Sequence, residues 1–121
     1  MKVLITGGAG YLGTVLTEEI LNRFPYAKVI VYDNLMYKQD GLFSFFKYPK
    51  DRFEFVYGDV RDKNSLLEQL QKLDKDNDYV IPLAAIVGFP ACARDEKLAT
   101  AVNFEHVKYI VQSTRCRIIY P

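Results

Sequence analysis

Gly7-Gly8-Ala9-Gly10-Tyr11-Leu12-Gly13 is the stretch of sequence that decides the fold. It follows a short apolar run at residues 3–6, whose β-branched side chains are typical of a buried strand. After it, apolar residues recur at the spacing of one helix face as far as Pro25, namely Leu12, Val15, Leu16, Ile20, Leu21 and Phe24. A strand, a glycine turn and a helix therefore follow one another at the start of the chain.

The glycine turn satisfies both G-x-G-x-x-G, counted from Gly8, and G-x-x-G-x-x-G, counted from Gly7. Glycine accepts a positive φ, which we expect at Gly10, and it lets the backbone approach a pyrophosphate closely. The N-terminus of the following helix adds unpaired N–H groups and the positive end of its dipole. The pattern predicts a dinucleotide-binding turn, and the alternative is a turn that needs glycines only for its own shape.

Asp33 lies 20 residues after Gly13, at the end of the second predicted strand. A carboxylate at this spacing can accept hydrogen bonds from both ribose hydroxyls of an adenosine. It would repel a 2′-phosphate, and Asn34, Leu35 and Met36 supply no base to offset that charge. The sequence therefore favours NAD over NADP as the cofactor.

Strands and helices alternate along the rest of the chain. We predict strands at residues 29–32, 53–57, 79–83 and 117–120, a helix capped by Asp62 or Ser65, a helix at 95–112, and a short helix at 42–46 covering strands two and three. The alternative for residues 42–46 is that, with Tyr37 and Tyr48, they wrap the adenosine or meet a partner subunit. This alternation predicts an α/β fold of the Rossmann type, a doubly wound parallel sheet of five strands in the order 3-2-1-4-5 with helices on both faces. A length of 121 residues fits a single domain.

Composition excludes several classes of protein. The chain is 50% hydrophobic and 26% charged with a net charge of +1, which argues against disorder and against a nucleic-acid or membrane-surface binder held by bulk charge. The uncharged run at residues 79–93 contains two prolines and is too short to span a membrane. Cys92 and Cys116 form no close metal-type pair, and the initial apolar run is too short for a signal peptide, so we expect a cytoplasmic location.

Five blocks of sequence carry a resemblance to a known family. They are Thr6 to Gly13, Tyr32-Asp33-Asn34-Leu35, Gly58-Asp59-Val60-Arg61-Asp62, Leu83-Ala84-Ala85 and Val102-Asn103. In order and rough spacing they resemble the extended short-chain dehydrogenase/reductase family, the NAD-dependent epimerases and dehydratases that act on nucleotide sugars. The resemblance covers essentially the whole chain and implies a nucleotide-sugar substrate in a complete enzyme, with a homodimer as one possible assembly.

The resemblance implies roles for the matched residues. The pyrophosphate would be held by Gly7, Gly10, Gly13 and the backbone of Tyr11 and Leu12. Asp33 with Asn34 would hold the adenosine ribose, while Asp59 and Val60 would flank the adenine, Asp59 accepting from the exocyclic amine. Leu83, Ala84 and Ala85 would lie beside the cofactor, and Asn103 would face the active site from its helix.

Two departures from the family pattern concern the chemistry. Pro82 stands where the family usually has His, so we expect the fourth strand to end or bend there. The family's catalytic Ser or Thr and its Tyr-x-x-x-Lys pair are missing, since none of the nine tyrosines has Lys four residues later. We therefore assign no catalytic residue and interpret residues 1–121 as an NAD-binding domain truncated before the catalytic region and the substrate domain.

Two other functions remain open from the sequence. One is a non-catalytic dinucleotide-binding or sensor module, and the other is a flavodoxin-like domain, against which Asp33 and the glycine pattern count. The single histidine, His106, is expected to be a surface or half-buried residue of the fourth helix.

Overall fold

The computed structural model describes all residues from Met1 to Pro121. It contains one five-stranded sheet in which every neighbouring pair is parallel and the order is β3-β2-β1-β4-β5. The strands are β1 Lys2–Thr6, β2 Lys28–Asp33, β3 Phe53–Tyr57, β4 Tyr79–Pro82 and β5 Arg117–Ile118. The predicted α/β fold class and strand order are therefore confirmed.

The helices cover both faces of the sheet. They are α1 Tyr11–Arg23, α2 Lys63–Leu70, α3 Phe89–Arg94, α4 Glu96–Thr100 and α5 His106–Ser113, with a 3₁₀ turn at Gly41–Phe45 and a π-helical turn at Ala101–Glu105. Of the two predicted caps of α2, Asp62 is the one observed, because its carboxylate accepts from the Ser65 N–H at 3.1 Å.

The alternation of residues along each strand divides the core into two clusters. On β2, Val29 and Val31 face the cluster that includes Leu21 of α1 and Phe45 of the 3₁₀ turn. The alternate residues of the same strand point to the opposite face of the sheet. There they pack in the second cluster with side chains of α2 and α5 such as Leu66 and Ile110. Burying a Leu or Ile side chain of this kind stabilises the fold by roughly 1.5–3 kcal/mol, so both helical layers hold the sheet.

The amino and carboxyl ends of the strands differ in how they are closed. At the amino ends of the strands, the buried Asp78 carboxylate accepts from the Lys2 N–H at 2.6 Å and the Asp74 N–H at 2.8 Å. Arg52 donates there to Leu21 O at 2.7 Å and to Ala27 O at 2.8 Å, which ties the end of α1 to the start of β3. The amino ends are closed by these hydrogen bonds, whereas the loops at the carboxyl ends surround an open cavity.

Three local predictions were wrong. The helix predicted at 95–112 is divided into α4, a π-helical turn and α5, and it ends at Ser113. The fifth strand ends at Ile118 rather than at residue 120. His106 is buried, with 2% of its surface exposed, because the first turn of α5 faces the sheet.

No helix combines the length and the apolar character that crossing a bilayer requires.

Candidate functional site

A cavity of about 640 Å³ lies at the carboxyl ends of the parallel strands. Open α/β sheets bind ligands at this edge, where the order of connections reverses between β1 and β4. All of the cofactor residues predicted from the sequence line this cavity: Gly7, Gly10, Tyr11, Leu12, Gly13, Asp33, Asn34, Asp59, Val60, Leu83, Ala84, Ala85 and Asn103. The fold thus brings residues from separate parts of the chain to one place.

The glycine turn forms the floor between β1 and α1. Gly7 has a φ of 70° and donates from its N–H to Tyr32 O at 2.9 Å. Gly10 has a φ of −70°, so the positive φ expected there was wrong; the left-handed bend that ends β1 is made at Gly7. Gly10 caps α1 without any side-chain hydrogen bond, and the turn therefore presents bare backbone to the cavity.

Close packing explains Gly13. A Cβ at this position would lie 2.5 Å from Gly8 Cα and 2.6 Å from Gly8 O, which are backbone atoms. At Gly10 the nearest atom to such a Cβ is Gly7 O at 3.4 Å, an ordinary contact distance. Gly13 is thus required by the approach of α1 to the turn, while Gly10 leaves space on the cavity side.

Asp33 lies at the end of β2 and closes the other side of the glycine turn. Its Oδ2 accepts from the Ala9 N–H at 3.0 Å, and its Oδ1 accepts from the Leu35 N–H at 2.8 Å. Each carboxylate oxygen keeps a further lone pair, so the group can accept more donors from a ligand. The carboxylate therefore orients the turn and faces the cavity with a fixed negative charge.

Asp59 is held by two neighbouring side chains. Arg61 donates to its two oxygens at 2.9 Å and 2.6 Å, and Asn34 Nδ2 donates at 3.3 Å. The Arg61 hydrogen bond is the main reason that the pKa of Asp59 falls from 3.8 to about 2, so this carboxylate is ionised throughout the physiological range. An ionised carboxylate at this position can accept a hydrogen bond from an amine.

Tyr32 supports the loop that carries Asp59. Its hydroxyl donates to Asp59 O at 2.9 Å, and a Cβ on Gly58 would lie 2.4 Å from its ring. Burial is the largest cause of the raised pKa of Tyr32, so the phenol stays protonated and remains a donor. The sequence argument used Tyr32 as a strand residue and as part of a matched block, and it did not predict this supporting contact.

The loop after β4 forms the opposite wall. The strand ends at Pro82, as predicted, and the Leu83 N–H then donates to Thr6 O at 2.9 Å. Two alanines follow, and the side-chain amide of Asn103 binds both backbone groups of Ile86, donating to its O at 2.8 Å and accepting from its N–H at 2.7 Å. Asn103 therefore faces the cavity and also fixes this loop.

The sequence argument missed several residues of the cavity wall. Met36 and Gln39 come from the loop after β2, where Leu35 and Lys38 adopt positive φ values of 54°. The Gln39 Oε1 atom is buried and has no hydrogen-bond partner in the protein. A single sequence gives no signal for these residues, since their position depends on the path of an irregular loop. The His, Cys, Asp and Glu side chains form no group that could hold a metal ion.

Comparison with known proteins agrees with this geometry. The model of the NAD dependent epimerase/dehydratase family matches residues 3–119. The chain belongs to this family. The family resemblance seen in the sequence is thereby confirmed.

Relatives within the epimerase/dehydratase family are substantially longer than this chain. It is 30% identical to CDP-paratose 2-epimerase of Salmonella typhi, over 99% of this chain and 36% of that protein. It is 37% identical to dTDP-D-glucose 4,6-dehydratase of Dictyostelium discoideum, over 94% of this chain and 26% of that protein. The chain thus spans between a quarter and somewhat over a third of the length of these relatives.

Solved structures of the epimerase/dehydratase family share the fold. UDP-glucose 4-epimerase of Thermus thermophilus, in complex with NAD, superposes with a TM-score of 0.73 at 27% identity, over 93% of this chain and 33% of that one. DesIV of Streptomyces venezuelae, a dTDP-glucose 4,6-dehydratase with NAD and TYD bound, gives 0.79 at 28% identity, over 93% and 35%. The fold of this chain is therefore the Rossmann-type fold of these proteins.

Proposed function

We propose that this chain is the NAD-binding domain of an enzyme that acts on a nucleotide sugar through a transient keto-sugar. The observation that carries the proposal is the convergence of the glycine turn, Asp33 and Asp59 on one cavity at the N-terminus of α1. Family membership and the NAD complexes of two related structures support it.

The residues present fit a dinucleotide. The surface above Gly10 carries no side chain, and the N-terminus of α1 offers backbone N–H groups where a pyrophosphate would lie. Asp33 would accept from the adenosine ribose, and its charge favours a 2′-hydroxyl over a 2′-phosphate. Asp59, ionised and fixed by Arg61, would accept from the adenine amine beside Val60.

The opposite wall would hold the reactive half of the cofactor. Ala84 and Ala85 leave room there, and Asn103 fixes the loop through Ile86. Bound NAD would supply a hydride acceptor for a sugar carbon, which yields the keto-sugar. No residue of this chain is assigned to the accompanying proton transfer.

A non-catalytic dinucleotide-binding or sensor module is the second candidate. The glycine turn, Asp33 and Asp59 around one cavity would be sufficient for such a module. The coding sequence on either side of these residues distinguishes the two candidates, because the enzyme needs a Ser or Thr segment and a Tyr-x-x-x-Lys pair in the same polypeptide.

Titration calorimetry with ADP-ribose, NAD and NADP tests the cofactor assignment. We expect ADP-ribose and NAD to bind, with NADP weaker, because the contacts to adenosine and pyrophosphate lie within this chain. Gly10→Val is the matched variant, since its side chain would occupy the space over the turn. Folded wild-type protein that gives no heat with saturating ADP-ribose would refute the assignment.

A further inference from the structure

His106 does not line the cavity, but it follows the helical turn that carries Asn103. It is buried at the start of α5, and no role for it follows from the family pattern. Its Nε2 lies 3.3 Å from Thr6 Oγ1, on the last residue of β1 before the glycine turn. Its Nδ1 is in hydrogen-bond contact with Val102 O, within the π-helical turn. One side chain therefore contacts both the strand that carries the glycine turn and the helix that carries Asn103.

The hydrogen-bond partners determine the tautomer of His106. A carbonyl oxygen only accepts, so Nδ1 must carry the proton that is donated to Val102 O. In the neutral ring Nε2 then accepts, and the Thr6 hydroxyl donates to it. Burial lowers the pKa of His106 below its usual 6.5, which is consistent with a neutral ring.

The contact to Val102 is linked to the shape of the helix. In an α-helix the His106 N–H would donate to Val102 O, but here it donates one residue further back, to Ala101 O. The imidazole of the same residue donates to Val102 O instead. A π-helical turn adds one residue to the turn and so rotates the side chains that precede it. In this turn the Asn103 amide reaches both backbone groups of Ile86.

We propose that His106 is a positioning residue for the cofactor cavity: its neutral imidazole holds the π-helical turn in the form that pairs Asn103 with Ile86, and it joins this wall to Thr6 and the glycine turn. The proposal rests on the proposed function only for the identity of the ligand, a dinucleotide. The geometric part concerns Ile86 and can be measured without any ligand.

Hydrogen exchange at the Ile86 amide, followed by NMR on the full chain, tests the geometric part. His106→Leu fills a similar volume but removes both hydrogen bonds, and we expect the Ile86 amide to exchange about tenfold faster while the amides of β2 keep their protection. Asn103→Ala removes the partner itself and should give the same local change. Combined with His106→Leu it should add little, because the two residues act through one contact.

Control variants separate this effect from a general loss of stability. Ile110→Val makes a small cavity beside the same helix. It should leave the exchange rate of the Ile86 amide unchanged relative to the exchange rates of the β2 amides. His106→Asn places an amide donor near the position of Nδ1, so it should recover part of the Ile86 protection. Thr6→Val removes only the hydroxyl donor at nearly constant shape, and we expect it to give a smaller change than His106→Leu.

Binding measurements then test the effect on the ligand. AMP would contact only the adenosine side of the cavity, whereas NAD would also reach the wall at Ile86. His106→Leu should therefore raise the dissociation constant for NAD by about fivefold and change that for AMP by no more than about twofold. If wild-type protein does not bind NAD, the proposed function fails while the exchange result still decides the role of His106. Unchanged exchange at Ile86 in His106→Leu, or equal acceleration in Ile110→Val, would overturn the role proposed for His106.

Discussion

Gly13→Ala should destabilise the fold although it replaces a glycine within a helix. The added Cβ would lie 2.5–2.7 Å from the Cα, O and C atoms of Gly8, where ordinary contacts are 3.4 Å or longer. Gly8 has no free space behind it, because its own Cβ position is 2.9 Å from a Val31 methyl group. The collision therefore requires α1 to move away from the glycine turn.

The magnitude follows from two opposing effects. Overpacking of a rigid core costs typically 1–3 kcal/mol, and a collision with backbone belongs at the upper end of that range. Alanine recovers about 1 kcal/mol of helix propensity relative to glycine. The net loss is about 2 kcal/mol of unfolding free energy, a considerable share of the 5–15 kcal/mol typical of a domain.

Urea denaturation followed by far-UV circular dichroism measures this loss. The matched control is Gly10→Ala, whose Cβ meets only Gly7 O at 3.4 Å and which should cost about 1 kcal/mol or less as a changed helix cap. A Gly13→Ala variant that is as stable as wild type, or no less stable than Gly10→Ala, would show that the helix and the turn are not packed as described.

Three further outcomes are expected. Gly10→Val should abolish ADP-ribose binding while the unfolding free energy changes by no more than about 1 kcal/mol, and calorimetry beside urea denaturation checks both. Asp33→Ala should weaken NAD binding by about tenfold or more and NADP binding by less, because the carboxylate accepts from a ribose hydroxyl of NAD but repels the 2′-phosphate of NADP. A larger loss of affinity for NADP than for NAD would refute the role of Asp33. The pKa of Asp59 is about 2 in the folded protein against an ordinary value of 3.8, so on acidification the unfolded chain is protonated at Asp59 before the folded protein is. The unfolding free energy contributed by the Asp59–Arg61 pair should therefore be lost as the pH falls from 3.8 through about 2. Arg61→Gln should remove about 1 kcal/mol of that acid dependence, since the half-exposed pair is screened by solvent, and parallel acid titrations of the two proteins would detect it.

Local patterns were sufficient to predict the sheet because each signal lies within a few residues. The apolar run of β1, the glycines and the Asp33 spacing all reflect short-range constraints on one strand–turn–helix unit. The family resemblance then supplied Asp59, Ala84 and Asn103, which come from distant parts of the chain. Every one of these residues lines the cavity.

Long-range contacts account for what the sequence did not predict. The π-helical turn has apolar spacing close to that of an ordinary helix, and His106, which follows it, contacts Thr6, 100 residues away in sequence. His106 is buried because the first turn of α5 faces the sheet, whereas a histidine in a helix is usually exposed at least in part. Likewise, the Tyr32 hydroxyl links strand β2 to the loop after β3 that carries Asp59.

The closed edge of the sheet, opposite the cavity, determines where the protein can be tethered. Tyr26 follows α1 at that edge, and 92% of its surface is exposed. Cys116 is buried and Cys92 is half-buried, so a cysteine introduced at Tyr26 would be the most accessible thiol for a dye or a sensor chip. A handle at Tyr37 would instead occupy the cavity wall. Immobilisation through position 26 therefore leaves the carboxyl ends of the strands facing the solution.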